Sequence, residues 1–132
     1  MVGGMIGRLL LPAGFLLALT GATHAADMFG DGFPPCGDQK TTLDTVNCVD
    51  AKTRELDQRL NKAYAALLKA VDPPQVEPLR RSERLWAQYR DANCAFYGAG
   101  GGTISRVKAA ECARAMTQDR AQELEAAAKQ QP

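Results

Sequence analysis

Three observations predict an all-α fold for this chain, a compact three-helix, up-down arrangement with a helical hairpin, stapled by two disulfides. Apolar residues recur at steps of three and four through most of the chain after residue 40. No part of that stretch alternates as a half-buried strand would. Four cysteines stand behind a segment that reads as an export signal.

That segment is residues 1–25. Arg8 and the amino terminus supply a short positive region, and Leu9 to Leu19 an apolar run of eleven residues. Thr23-His24-Ala25 then presents small residues at the positions a signal peptidase reads, so cleavage is expected after about Ala25. The apolar run is shorter than the roughly 20 residues of a membrane span. No cysteine lies near the cleavage point to accept a lipid. The expected product is periplasmic or secreted, with no stable membrane anchor. It has 107 residues, with 15 Lys+Arg against 15 Asp+Glu and no histidine. Zero net charge gives no electrostatic reason to expect nucleic acid or a membrane surface as partner. The length suits one domain, placed at 41–128, between a flexible arm at 26–40 and a tail at 129–132.

Cys36, Cys48, Cys94 and Cys112 are separated by 11, 45 and 17 residues. An even count in an exported chain reads as two disulfides. A zinc site would need close pairs such as C-x2-C, and no histidine is left to complete one. No metal site and no cofactor is implied.

The elements follow in order. Residues 26–40 are rich in Gly, Pro and Asp, show no period, and read as an arm held near Cys36. Thr41 and Thr42 are candidate caps for a first helix with Asp44 in its first turn. Its stripe is Val46, Val49, Thr53, Leu56, Leu60, Ala63, Leu67 and Ala70. Asp72-Pro73-Pro74 stops it after about 45 Å. A second helix is expected from near Val76, with Leu79, Leu85, Trp86, Tyr89 and Phe96 as its apolar side and Gly98 as its C-cap. The glycine-rich run 98–103 is a loop. A third helix from about Ser105 to Ala128 carries the weakest stripe: Val107, Cys112, Ala113, Met116, Leu124 and Ala127. The first two helices form an antiparallel hairpin, each burying its stripe against its neighbour in sequence. This arrangement favours Cys94–Cys112 and Cys36–Cys48. It also places Cys48 at the same end of the bundle as Cys94 and Cys112, so Cys48–Cys94 stays open.

The ordered landmarks are a cysteine before the first helix, Cys48, Asp57, and Leu60-Asn61-x-x-Tyr64. Then come Trp86-x-x-Tyr89-Arg90-Asp91-x-x-Cys94, Gly101-Gly102-Thr103, Cys112, and Thr117-x-x-Arg120-x-x-x-Leu124. From Cys36 to Leu124 this set resembles the LprI-type lysozyme-inhibitor domain family of small exported proteins. The chain departs from the family's founding pattern in lacking a lipid-accepting cysteine. The resemblance implies a protein-binding module whose partner is lysozyme, a muramidase, inhibited by occlusion of the substrate cleft. The rival expectation is a structural or adaptor protein of the envelope with no lysozyme-related activity.

The candidate partner-contact residues are Gly101, Gly102, Thr103, Ser105 and Arg106, because a loop presenting hydroxyls and a guanidinium suits a cleft lined by two carboxylates. The plain alternative is a connector between helices. A phosphate cradle is the weaker reading, since the run lacks G-K-[ST] and follows a helix rather than a strand. Leu56, Leu60, Tyr64, Trp86 and Tyr89 are expected in the core. Arg90 and Asp91 are expected to pair with Arg120 or Asp57. Arg80, Arg81 and Arg84, interrupted by Glu77 and Glu83, read as a solvated face. With no histidine and no free thiol, the usual nucleophile–base sets are missing, and an enzyme is not expected.

Overall fold

A computed structural model describes residues 34–131. Residues 1–33, which include the expected signal segment 1–25 and most of the expected arm, and Pro132 lie outside the described residues. Four helices follow one another: α1 (Pro34–Gly37), α2 (Thr42–Ala70), α3 (Pro73–Gly98) and α4 (Ile104–Lys129). Thus α1, a single turn, occupies the end of the expected arm, and three long helices make the domain. No strand occurs among the described residues.

Local chemistry sets the helix ends. Thr41 is extended, and its Oγ1 accepts from the Asp44 amide at 3.1 Å while donating to the Asp44 carboxylate at 2.7 Å. This satisfies one orphan donor of α2 and places an anion at its positive end. The prolines act differently from the expectation. Pro73 and Pro74 are the first two residues of α3, so the helix starts three residues before Val76. Amides at these positions have no intrahelical acceptor, so proline loses nothing there. The Asp72 amide donates to Gln75 Oε1 at 3.1 Å, closing the entry. Gly98 is the last residue of α3 rather than its C-cap, and its φ is not positive. A Cβ added there would lie 3.3 Å from Ala109 Cβ, so glycine serves the close approach of α4.

α2 and α3 are antiparallel, but the closest packing of α2 is with α4, which runs parallel to it. The expectation that each stripe is buried against the neighbour in sequence is corrected here. α4 lies against both other long helices, and α2 and α3 approach one another much less. Val49 of α2 meets Ala110 of α4 and Cys36 at one end. Leu60, Ala63 and Leu67 meet Ala121 and Leu124 towards the other, with Leu79 and Trp86 of α3 packed against them. Small residues on both helices let the backbones come close. Arg59 and Glu125 join α2 to α4 outside this seam through two hydrogen bonds of 3.1 and 2.9 Å.

The disulfides are Cys36–Cys48 and Cys94–Cys112, with Cα–Cα separations of 5.7 and 5.4 Å. The alternative Cys48–Cys94 is thereby eliminated. The first ties α1 to α2 and the second ties the end of α3 to the start of α4.

Each bridge removes freedom from the unfolded chain. Reduction is expected to cost about 3 kcal/mol per bridge, read as a lower urea midpoint. An unchanged midpoint would show that the bridges do not constrain the fold. Arg59–Glu125 yields a pH prediction. The hydrogen bonds from Arg59, and then its charge, hold the Glu125 carboxyl below the usual carboxylate range. A carboxyl depressed in the folded state stabilises above its unfolded pKa, and this is lost as pH falls through the folded value. The stability difference between wild type and Arg59→Met should therefore be present at neutral pH and vanish in acid. A difference independent of pH would contradict the pairing.

Candidate functional site

α3 and α4 are joined by residues 99–103, with the Cys94–Cys112 bridge directly below. The Ala99 amide closes the end of α3 on Ala95 O at 2.9 Å. Gly102 has φ +78°, the left-handed region where a side chain would be strained. Gly101, Gly102 and Thr103 are exposed at the tip. Thr103 occupies the N-cap position of α4 without a capping hydrogen bond from its side chain. Arg106, one turn on, is exposed and forms no ion pair among the described residues.

Ser105 departs from the expectation. It is buried, and its Oγ donates to Gly102 O at 2.7 Å. The hydroxyl is spent on holding the turn, so Ser105 is not presented to a partner. The tip thus offers two glycines, a threonine and an unpaired guanidinium on a tied base.

A second constellation lies midway along the bundle. Trp86 of α3 is half-buried, with the Arg90 guanidinium 5.1 Å from its ring centroid and that of Arg120 at 5.9 Å. Arg90 reaches Asp57 of α2 at 3.5 Å and Asp91 at 3.0 Å. Arg120 reaches Glu83 of α3 at 2.8 Å and Glu123 at 2.8 Å. The expected partners are therefore sorted: Arg90 takes Asp57 and Asp91, and Arg120 takes two glutamates absent from the expectation. Burial works against the Arg120 charge, but hydrogen bonds to Glu123 and Glu83 outweigh it and hold its pKa above the ordinary value. Three helices are clasped through one indole, and each charge is matched. This is a structural clasp.

The core expectation needs one correction. Leu60 is buried, and Leu56, Tyr64 and Trp86 are half-buried. Tyr89, however, is 62% exposed. The Cys94 side chain is drawn inward by its bridge, and Tyr89 lies about 140° round the helix from it. Leu85 and Phe96 are exposed for the same reason. Of the basic cluster, Arg80 pairs with Glu77 at 2.6 Å, whereas Arg81 and Arg84 are exposed without ion pairs among the described residues.

Sequence reasoning missed a buried pair inside α4. Glu111 is fully buried, and its Oε2 accepts from Arg114 Nε at 2.7 Å. Arg114 Nη1 donates to Gln118 at 2.7 Å. Glu111 Oε1 has no partner among the described residues. The i,i+3 spacing was legible, but the burial was not, because it follows from α4 lying between its neighbours. No three side chains among the described residues are grouped to hold a metal ion, and no described helix is long and apolar enough to cross a membrane.

The geometry defines a class, a small doubly bridged helical domain whose charged cluster clasps helices and whose α3–α4 tip is exposed. The chain belongs to the LprI family: the family model described as "Lysozyme inhibitor LprI" matches residues 36–124. It is also similar to an uncharacterized protein, R02472, of Rhizobium meliloti (strain 1021). The two are 27% identical over 106 residues, spanning 69% of this chain and 76% of that protein. No solved structure matches the chain.

The clasp can be tested by mutation. Arg120→Met should cost about 1–3 kcal/mol, because Glu83 loses its charged donor in a mostly buried place. In a cycle with Trp86→Leu, the coupling should be about 0.5–1 kcal/mol. Additive effects in urea unfolding would show that the stack is incidental.

Proposed function

We propose that this protein is an exported lysozyme inhibitor, made with a cleavable signal at residues 1–25, that binds a muramidase and blocks its substrate cleft without catalysing a reaction. Family membership over residues 36–124 supports the target class. The single observation that carries the mode of binding is the α3–α4 tip. Gly101, Gly102 and Thr103 are exposed, and Arg106 is free of ion pairs among the described residues. Cys94–Cys112 ties the base of this tip, so little ordering entropy is lost when it docks. A muramidase cleft carries two carboxylates, and a guanidinium entering it forms charge-assisted hydrogen bonds in a water-poor site. Narrow glycines beside Arg106 let the backbone follow it inward. Zero net charge in the exported part leaves recognition to contact rather than long-range steering.

Titration of lysozyme activity with the purified, oxidised protein tests this reading. Dose-dependent inhibition is expected. Arg106→Ala should weaken it about tenfold or more, consistent with loss of one charge-assisted contact. Ser105→Ala should lower stability through the lost turn hydrogen bond while leaving inhibition by the folded fraction intact. Absence of inhibition against several lysozyme classes would overturn the reading and leave an envelope adaptor.

A further inference from the structure

α3 carries two apolar stripes. The inner one, with Leu79, Trp86 and Cys94, faces the bundle. The outer one runs through Pro78, Leu85, Tyr89, Ala92 and Phe96, all exposed. Leu85, Tyr89 and Phe96 are 53, 62 and 74% accessible, three of the five large exposed hydrophobics among the described residues. Their spacing of four and seven places them on one line of the helix. A solvated surface helix would carry polar residues there.

We propose that this outer face of α3 is a self-association surface, on which a second copy of the chain packs with its α3 antiparallel to the first. The order of residues is self-complementary about Ala87. Pro78 and Phe96 lie equally far from it on either side, as do Leu85 and Tyr89. Antiparallel pairing about this point sets Pro78 of one copy against Phe96 of the other, and Leu85 against Tyr89. Slipping the register by one turn in either direction would lose these apolar pairs.

The contact is modest. A stripe from residue 78 to 96 is about 27 Å long, and covering it would bury roughly 600 Å² per copy, the lower end of specific interfaces. The association is therefore weak and depends on concentration.

Sedimentation velocity on the purified, oxidised protein from about 5 to 500 μM tests this, spanning the affinity such an interface supports. The expected result is a monomer passing to a dimer within that range. Tyr89→Glu/Phe96→Glu should stay monomeric throughout, with helicity retained because both residues are exposed. Leu85→Glu should weaken the dimer about tenfold or more. A wild-type monomer at the highest concentration would overturn the proposal. So would a dimer untouched by Tyr89→Glu/Phe96→Glu. A monomer whose lysozyme inhibition is abolished by Tyr89→Glu/Phe96→Glu would also overturn it and assign the stripe to the muramidase.

Discussion

The bridge between Cys94 and Cys112 decides which side of α3 faces the bundle, and most of the molecule follows from that rotation. With Cys94 drawn inward, Glu83 and Arg90 lie about 20° and 40° from it round the helix, and Leu79 and Trp86 about 60° and 80°. These side chains meet α4 and α2. Leu85, Tyr89 and Phe96 lie about 180°, 140° and 160° away, and no rotation that keeps the bridge can bury them. The same covalent link ties the base of the α3–α4 turn, so the exposed tip and the exposed stripe share one cause.

α4 bears the cost of this arrangement. It touches both other long helices, so residues all round it are shielded from water. Its apolar stripe is diluted accordingly. Ala110, Ala115 and Ala121 permit close approach to neighbours, while Glu111 and Arg114 are buried together with one carboxylate oxygen unpartnered among the described residues. A buried pair of this kind is weak evidence for stability, since desolvation offsets much of the attraction. Its hydrogen-bond partners, Arg114 for Glu111 and Gln118 for Arg114, lie on α4 itself, so the pair is a feature of that helix and not a bond between helices.

The all-α fold, both disulfides and the three long helices were legible because proline, threonine caps and three-four periodicity act locally. Helix partners were not. Whether α2 buries its stripe on α3 or on α4 depends on which neighbour offers small residues at matching heights, a relation between distant segments. The error at Tyr89 is different, because the information was present. Treating Leu79 and Phe96 as one apolar side ignored that they lie about 100° apart, and the bridged Cys94 sufficed to separate them. Ser105 failed for a third reason. A hydroxyl at the start of a helix is as apt to tie a preceding turn as to meet a partner, and only the position of Gly102 O distinguishes the two.

The tip and the α3 stripe occupy different surfaces, one at the end of the bundle and one along its side. An antiparallel pair formed through the stripe leaves both tips uncovered and carries them to opposite ends of the assembly. Each tip then faces its own partner without crowding the other, so pairing changes valency rather than the chemistry of contact. Under the proposed function, two such ends would gain avidity only when both targets are held on one surface, because linked sites help only where geometry allows simultaneous engagement. Muramidases bound to the cell wall meet that condition, and freely diffusing ones do not. The proposed association on the α3 side and the proposed cleft contact at the tip use separate surfaces and would be coupled only where the target is immobilised.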